Sequence, residues 1–516
     1  MKAKFKKIMA SLLSAMMVFT MCVATSVQAA EQNGTLTITS NEALDGRTFK
    51  IYKLFNLTTN GKEDKKTKFS YTEYKQEHTH AVKTILEDNS FNEKKLTDVE
   101  SIVEALGKLD AQQLQTFAKS ISKNKGLIEE QTLTPQGNSV SVTLPYGYYV
   151  IAETTTYQET DKNKPTISLT MLKTVYKTTD EIKVKSELPD VKKELVDSPS
   201  TNRKGSDYTV GDTVKFKVTG TAPRTEVVNT YQTYQYTFTD TLSEGLQLKP
   251  ESIVVKMNNK EITTGFTKNI NKNPFTIIFE DLKVVDGLNP DTNKSKNIIT
   301  VEYEAKLTSE ALVETPEQNS VHIEYSNNPD SDSIGKSEED IVYVYNFGLD
   351  ITKVDGTSKE ALKGAEFVLE DETGKVLVAT GSDGSYVVSR FDSKKDSATV
   401  LSVGKLGKLF VDGLAGGKYY LIETKAPDGY NLLKNPIEIT ITSTYAQDGK
   451  VSSHTSTLGT DSNNDGRFEF NVENNSGLEL PSTGGMGTTI LYIAGILAMA
   501  GGVCYFVIDK KKRAQK

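Results

Sequence analysis

Three polar residues in the C-terminal third of the chain, Lys353, Glu423 and Asn474, occupy positions where a strand would carry apolar side chains. Alternate residues of a β-strand share one face. Each polar residue has the phase of a short apolar row, and the rows are Leu349-Ile351-Lys353, Tyr419-Leu421-Glu423 and Phe468-Phe470-Val472-Asn474. A charged side chain is almost never fully buried without a partner. We therefore expect the amine, the carboxyl group and the amide to meet in the interior of one domain.

Burial would turn these three groups into reactants. Removal from water disfavours the charged forms, so it lowers the pKa of a lysine and raises that of a glutamate, by up to ~3 to 5 units. The neutral amine of Lys353 is then a nucleophile for the side-chain carbonyl of Asn474, while protonated Glu423 polarises that carbonyl and passes a proton to the departing ammonia. The product is an intramolecular isopeptide bond. The alternative is a buried Lys-Glu ion pair with Asn474 at a turn.

A second set of the same kind lies in the middle of the chain and comprises Lys193, Asp240 and Asn319. The corresponding rows are Val191-Lys193-Leu195, Tyr234-Tyr236-Phe238-Asp240-Leu242 and Asn319-Val321-Ile323-Tyr325. Strand phase excludes the neighbouring Lys192 as the reacting lysine, because its side chain falls on the polar face of the strand. We expect a second Lys-Asn isopeptide bond here, with Asp240 as its catalytic acid.

The N-terminal part of the chain departs from this pattern. Glu153 has the phase of Tyr149 and Ile151, but the opening row, Leu36-Ile38-Ser40, contains no lysine. No asparagine in phase is evident in the closing strands either. We expect no isopeptide bond in this part, and a structural or hydrogen-bonded role for Glu153.

Both ends of the chain carry targeting signals. Lysines precede an apolar run at 8–23, and small residues at 27–29 complete the pattern of a secretory signal peptide, which we expect to be cleaved after Ala29. At the other end, an apolar run at 488–508 is long enough to span a bilayer as a helix, and the basic cluster at 510–513 stays cytoplasmic. The chain is therefore predicted to be exported and held at a membrane by its C-terminus.

Composition argues against several classes of function. The chain has 68 acidic and 61 basic residues, a net charge of −7 and no basic block outside its termini, which argues against nucleic acid as a partner. Its two cysteines, Cys22 and Cys504, lie in the predicted signal peptide and membrane helix, so disulfides cannot stabilise the exported part. With only 4 histidines, a hydrolase or metal centre has few candidate residues, and we expect no metal and no cofactor.

Two weaker signals for metal binding are interpreted as loops. His78 and His80 have no further cysteine, histidine or acidic ligand pattern around them. The run at 461–466 resembles the start of a calcium loop, but Val472 stands at the twelfth position, where a bidentate glutamate is required. We expect a hairpin turn there.

The strand pattern predicts a mainly all-β chain of tandem, antiparallel, immunoglobulin-like β-sandwich domains. Representative period-two runs lie at 140–144, 214–218 and 437–441. Only 91–122 has helical spacing, and we interpret it as an insertion in the first domain. The predicted segments are a signal peptide (1–29), an N-terminal domain (30–186), a middle domain (187–345), a C-terminal domain (346–476) and a final segment with a transmembrane helix (477–516).

Several motifs resemble those of one family. The pentapeptide Leu480-Pro481-Ser482-Thr483-Gly484, followed by the apolar helix and the basic tail, resembles the cell-wall sorting signal of Gram-positive surface proteins. The segment GKYYLIETKAPDGY at 417–430 resembles the E-box of Gram-positive pilins and of B-type repeat domains of collagen-binding adhesins, and 236–246 resembles the acid-bearing strand of backbone-pilin middle domains. The chain thus resembles a sortase-assembled Gram-positive major (backbone) pilin, with an isopeptide-forming middle domain and a collagen-adhesin B-type C-terminal domain.

This resemblance implies a structural function. A sortase would cut between Thr483 and Gly484 and join Thr483 to a lysine of the next subunit, which gives a covalent pilus anchored to the cell wall. Related pilins carry this lysine in a Val-Tyr-Pro-Lys-like segment just before the first linker, and the corresponding region here, 181–189, lacks the Tyr-Pro pair. We expect Lys185 to be the nucleophile, with Lys183 as the second candidate. The alternative is that both are ordinary edge-strand lysines.

The resemblance also implies the partners. They are a pilin-type sortase, a housekeeping sortase, identical pilin subunits, minor or tip pilins and peptidoglycan, with host matrix as a further candidate. The chain is not expected to be an enzyme, because the only chemistry inferred acts once, on the chain itself. The alternative function is a monomeric wall-anchored adhesin or minor pilin that binds host matrix.

Overall fold

In a computed structural model of the protein, the structure describes residues 32–88, 91, 96–158, 160–198, 201–289, 295–311, 313, 315–476 and 487–513. The predicted signal peptide and the predicted sortase motif at 480–484 lie outside these residues.

Strands dominate the described part of the chain. In chain order they are β1 (Asn33–Thr39), β2 (Phe49–Thr59), β3 (Phe69–Glu73), β4 (Gln131–Leu133), β5 (Ser139–Pro145), β6 (Gly147–Glu153), β7 (Met171–Val175), β8 (Thr179–Lys183), β9 (Asp190–Val196), β10 (Gly205–Asp207), β11 (Thr213–Ala222), β12 (Tyr236–Leu242), β13 (Leu246–Met257), β14 (Lys260–Ile262), β15 (Thr267–Asn269), β16 (Phe275–Phe279), β17 (Asn297–Leu307), β18 (Glu317–Ser326), β19 (Ile334–Lys336), β20 (Asp340–Tyr345), β21 (Phe347–Asp355), β22 (Glu366–Asp371), β23 (Val376–Ser382), β24 (Ser385–Asp392), β25 (Leu401–Ser402), β26 (Lys408–Leu414), β27 (Gly417–Lys425), β28 (Ile437–Tyr445), β29 (Val451–Ser456) and β30 (Arg467–Asn474). The helices are α1 (Gln76–Glu87), α2 (Val99–Lys108), α3 (Ala111–Ser122), α4 (Thr225–Val228) and α5 (Gly487–Arg513), with short 3-10 helices at Leu282–Val284 and Lys395–Ser397.

These elements form two compact units. The first comprises the described residues of Met1–Lys204, Thr213–Lys306 and Gln318–Tyr343, and the second those of Gly205–Asp212, Leu307–Glu317 and Val344–Lys516. The prediction of a mainly all-β chain with tandem sandwiches is confirmed. The predicted domain boundaries stay predictions.

The first unit begins with a sandwich of two small sheets, ordered β5-β1-β8 and β3-β2-β6-β7, with β4 also paired to β2. Apolar side chains from alternate positions of these strands fill the space between the sheets, among them Leu36, Ile38 and Ile151, which are fully buried. β1 pairs with β8 in parallel, an exception to the antiparallel arrangement expected from the sequence.

Helices α1, α2 and α3 cover the outer face of β2 and β6 with a second apolar cluster that includes Val82, Ile102, Phe117 and Ile121. α2 and α3 each begin with a capping box, at Asp98 and at Asp110 respectively. Helical structure between 91 and 122 is therefore confirmed as an insertion, but α1 was not predicted.

The first unit also contains the sandwich that holds Lys193. One of its sheets has the order β14-β13-β17-β11-β9. In the other, β18 and β16 flank β12, and β19 and β20 also pair with β18. Along β11, buried and partly exposed residues alternate, which is the pattern of a strand with one face on a core.

In the second unit, consecutive pairing gives the strand order β29-β28-β27-β22-β23-β24-β26-β21-β30, with β25 paired to β22. β21 and β30, the first and last strands of this run, are neighbours and parallel. β24 and β26 are parallel as well. The second unit therefore contains parallel strand pairs, whereas the sequence analysis predicted antiparallel sandwiches.

The C-terminal helix α5 agrees with the predicted transmembrane segment. Residues 492–511 form a span that is long and apolar enough to cross a membrane, and none of it is buried within the protein.

We expect Ile121→Ala to destabilise the helical insertion by about 2–5 kcal/mol, because it removes a fully buried side chain from the cluster beneath the helices. The loss should be measured as reduced hydrogen-exchange protection of the amides of α3. Gln112→Ala, an exposed position on the same helix, is the matched control and should leave protection unchanged. Equal protection in both variants would contradict the packing described.

Candidate isopeptide sites

The predicted residues of the middle site come together from two opposing sheets. Lys193 lies on β9, next to β11, and Asp240 and Asn319 lie on the paired strands β12 and β18 of the other sheet. All three side chains are buried, with relative exposures of 0, 2 and 0 %. Lys192 is largely exposed and pairs with Glu194, as its strand phase predicts.

A fourth residue, Tyr303 on β17, joins the three predicted ones. Its hydroxyl lies 2.7 Å from Lys193 Nζ and 2.9 Å from each carboxyl oxygen of Asp240. It also accepts a hydrogen bond of 2.7 Å from Asn319 Nδ2. Lys193 Nζ in turn donates to Asp240 across 2.6 Å. The amine, the acid and the amide are therefore all hydrogen-bonded to the same hydroxyl group.

The sequence analysis missed Tyr303. It follows Ile299 and Val301 in strand phase, so it has the pattern of an ordinary core tyrosine. A signal was available, because a buried tyrosine hydroxyl usually requires a polar partner. Which partner it meets depends on the pairing of β17 with β11, a long-range feature that the local pattern does not reveal.

Burial shifts both charged groups of this site towards their neutral forms. It lowers the pKa of Lys193 to about 8, although the negative charge of Asp240 opposes this shift. Burial likewise raises the pKa of Asp240, against the effect of the Lys193 charge and the hydrogen bonds. Proton transfer from the ammonium to the carboxylate is favoured by both shifts, and it leaves a nucleophilic amine.

The C-terminal site is built on the parallel pair β21 and β30. Lys353 lies opposite Val472, and Asn474 lies two residues further along β30, so both side chains share one face. Lys353 is fully buried and its Nζ donates to the Val472 carbonyl oxygen across 2.9 Å. Burial lowers the pKa of Lys353 to about 8, opposed by the charge of Glu423.

Glu423 reaches this amide directly from β27. Asn474 Nδ2 donates to Glu423 Oε2 across 2.9 Å and to the Asn431 carbonyl oxygen across 2.6 Å. Glu423 Oε2 also accepts from the backbone N–H of Leu433 at 2.9 Å. Glu423 and Asn474 are 5 and 1 % exposed, so the acid and the amide meet in a dry interior.

Both sites leave the same atom without a partner. The side-chain carbonyl oxygens Asn319 Oδ1 and Asn474 Oδ1 are buried and accept no hydrogen bond from the residues that the structure describes. A buried polar atom without a partner costs about 1–3 kcal/mol, and such atoms require an explanation in a native structure. In each site the unpaired atom belongs to the carbonyl group that the amine would attack.

The first domain holds a different pair. Glu153 is hydrogen-bonded in the core, as predicted, and its carboxylate meets both Nε and Nη2 of the buried Arg47. It also accepts from Thr155 Oγ1 and from the backbone N–H of Ser168. A guanidinium stays protonated in proteins and is not a nucleophile. Lys53, which the sequence analysis did not single out, is buried further along β2, with its Nζ over the rings of Tyr74 and Tyr149.

The two candidate polymerisation lysines are exposed. Lys183 ends β8 at the edge of its sheet, and Lys185 follows the buried Val184. The side chain of Lys185 is 56 % exposed, and its Nζ lies 3.9 Å from Glu226. Both side chains are therefore accessible, as an acceptor amine for another enzyme must be.

The residues considered for metal binding have other roles. Asp461 accepts hydrogen bonds from the backbone N–H groups of Asp465 and Gly466, so its carboxylate closes a turn. The loop assignment of His78 and His80 was wrong, because both lie in α1. His78 is buried between the carbonyl oxygen of Lys53 and the N–H of Ile128. Within the described ranges, no group of three or more ligand side chains is placed to hold a metal ion.

The lowered pKa of Lys353 predicts a pH dependence in a variant that keeps the amine free. In Asn474→Ala, the folded-state pKa of about 8 for Lys353 lies below the ordinary lysine value of 10.5, so the unfolded chain binds more protons between these two pH values. The free energy of unfolding should therefore rise by a few kcal/mol from pH 8 to pH 10.5, measured by urea unfolding. Asn474→Ala/Lys353→Met lacks the amine and should not show this rise. The same slope in both variants would contradict a desolvated amine.

Comparisons with known proteins agree with this architecture. Residues 347–455 match the protein family described as "SpaA: Prealbumin-like fold domain". The chain is 24% identical over 411 residues to the trypsin-resistant surface T6 protein of Streptococcus pyogenes, covering 64% of this chain and 70% of that protein. It is 34% identical over 106 residues to the fimbrial subunit type 1 of Actinomyces viscosus, covering 20% of this chain and 17% of that protein.

The solved structure of the T6 backbone pilin of Streptococcus pyogenes serotype M6 shares the fold. It superposes with a TM-score of 0.55 at 17% sequence identity and covers 87% of this chain and 100% of that chain. Together, the common fold and the sequence relatives confirm that this chain resembles the Gram-positive major pilins, as its motifs predict.

Proposed function

We propose that the chain is the structural backbone subunit of a covalent pilus on a Gram-positive cell surface, stabilised by two self-formed Lys-Asn isopeptide bonds. Its relatives are structural pilin subunits, which supports a backbone role and agrees with the prediction that the chain is not an enzyme. The observation that carries the proposal of internal bonds is the pair of dry lysine-acid-asparagine sites, each with an unpaired amide oxygen.

In each site the same reaction is proposed. The lysine ammonium transfers a proton to the neighbouring carboxylate, and the neutral amine attacks the asparagine Cγ. The Cγ–Nδ2 bond then breaks, ammonia leaves and an amide bond joins the two side chains. The reacting pairs are Lys193 with Asn319 and Lys353 with Asn474, and the catalytic acids are Asp240 and Glu423 respectively. No external cofactor takes part.

Polymerisation is proposed to join the C-terminus of one cleaved subunit to a lysine at the end of the predicted N-terminal domain of the next. A pilin-type sortase would cleave the Leu480-Pro481-Ser482-Thr483-Gly484 motif after Thr483 and transfer the acyl group to Lys185 of the neighbouring subunit, with Lys183 as second candidate. A housekeeping sortase would attach the finished fibre to peptidoglycan, and minor or tip pilins would join the same polymer. Exposure of Lys185 supports this choice.

The alternative of a monomeric adhesin is not favoured by the relatives, which are pilus subunits.

Intact mass of the full chain, purified in detergent from a host without a pilin sortase, tests the internal bonds. We expect the wild-type mass to be low by two ammonia molecules, and Glu423→Ala or Asp240→Ala to be low by one. Glu438→Ala removes an exposed glutamate of β28 and should keep the full deficit. A full deficit in Glu423→Ala would refute its role as the catalytic acid of the C-terminal site.

Boiling cells in detergent and blotting for the protein tests the polymer. We expect the wild type to give a ladder of high-mass species and Lys185→Ala to reduce that ladder to a single band, because the acceptor amine is lost. Lys192→Ala removes a comparably exposed lysine nearby and serves as the control. A wild-type chain that runs as one band would favour the adhesin instead, and an intact ladder in Lys185→Ala would move the linkage to another lysine.

A further inference from the structure

We propose that the hydroxyl of Tyr303 is a catalytic group of the middle site, which relays a proton from Asp240 to the leaving amide nitrogen of Asn319. This inference rests on the isopeptide reaction proposed above and adds a residue to it. It also implies that the two sites of the chain deliver a proton to the leaving amide nitrogen by different routes.

The two sites differ in how the acid reaches the amide. In the C-terminal site, Glu423 contacts Asn474 Nδ2 directly, at 2.9 Å. Asp240 has a side chain one methylene shorter, and among the described residues the hydrogen bond of the Asn319 side chain goes to Tyr303. The tyrosine hydroxyl occupies the gap between the shorter acid and its amide.

The hydrogen-bonding capacity of this hydroxyl is fully used by the reacting groups. A hydroxyl donates one hydrogen bond and accepts two. Tyr303 donates to the carboxyl group of Asp240 and accepts from Lys193 Nζ and Asn319 Nδ2. It therefore contacts the nitrogen that forms the new bond, the nitrogen that leaves and the acid between them.

Packing holds the phenol ring in this position. Tyr303 is 2 % exposed, stacks on Phe216 and meets Phe275 edge-on, with both ring centroids 5.2 Å away. Burial raises its pKa well above the ordinary value, so the group acts as a neutral hydroxyl that exchanges protons without forming a stable phenolate. A fixed hydroxyl of this kind meets the geometric requirement for proton transfer, since its contacts lie within 2.7–2.9 Å.

The proposed steps balance in atoms and charge. The ammonium of Lys193 first gives a proton to Asp240, and the neutral amine attacks Cγ of Asn319, whose carbonyl π pair moves to Oδ1. When the intermediate collapses, that pair re-forms the carbonyl and Nδ2 departs with the electrons of the broken C–N bond. Nδ2 takes its proton from Tyr303, Tyr303 is reprotonated by Asp240, and Asp240 recovers a proton from Nζ. The products are a neutral amide, ammonia, a phenol and a carboxylic acid.

The test follows bond formation in the full chain after cell-free synthesis in detergent, sampled over time by mass spectrometry of the cross-linked peptide that carries Lys193 and Asn319. We expect Tyr303→Phe to slow this bond by roughly 10²-fold, the lower end of the effect of a positioned acid-base group. The Lys353–Asn474 bond of the same molecules should form at the wild-type rate. Tyr236→Phe is the matched control, because it removes another buried hydroxyl of this domain, whose hydrogen bond among the described residues goes to the main-chain oxygen of Thr221 at 3.3 Å.

A second variant distinguishes a relay from a structural role. The substitution Asp240→Glu adds the missing methylene, which would allow the acid to contact the amide directly. The double variant Tyr303→Phe/Asp240→Glu should therefore form the Lys193–Asn319 bond faster than Tyr303→Phe. A Tyr303→Phe chain that reacts at the wild-type rate, or a double variant no faster than the single one, would overturn the relay. A wild-type chain that never forms the Lys193–Asn319 bond would instead refute the proposed internal cross-link itself.

Discussion

Removal of two lysine amines from water is the constraint on which the proposed chemistry of this chain depends. Lys193 and Lys353 are both fully buried. An isolated buried ammonium is costly enough that the group tends to give up its proton, and the same loss makes nitrogen nucleophilic. In the proposed reaction, exclusion of water by the sandwich interior thus makes each amine nucleophilic, and the acid of each site accepts a proton and later returns it.

The three sandwiches show different responses to a charged group in the core. Among the described residues, Nζ of Lys193 in the middle site donates to Asp240 and Tyr303, whereas Nζ of Lys353 in the C-terminal site donates to the main-chain carbonyl oxygen of Val472. The first domain pairs its buried carboxylate, Glu153, with Arg47. Because a guanidinium keeps its proton and fits a carboxylate with two parallel hydrogen bonds, this pair is stable and unreactive. Under the proposed reaction, the choice of cation therefore separates a reactive core from an inert one.

Period-two alternation was sufficient to place much of both sites. It separated Lys193 from Lys192, and it identified both asparagines as interior residues, because side-chain phase is a local property of a strand. Tyr303 was missed since its role is set by which strands become neighbours. α1 was missed because its buried face includes His78, a polar residue whose partners are main-chain atoms from distant segments. Parallel pairing at β21 and β30 is likewise a property of topology that composition does not encode.

That parallel pair determines how tension would act on the C-terminal domain. The chain enters β21 near Gly348, which lies opposite Arg467, and leaves β30 at Asn474, which lies opposite Asp355 at the other end of the ladder. Tension on the two ends would therefore act along the strands, in shear. The backbone hydrogen bonds between β21 and β30 would then resist together and would not break one after another. A domain with antiparallel terminal strands, pulled from one end of its ladder, would lack this advantage.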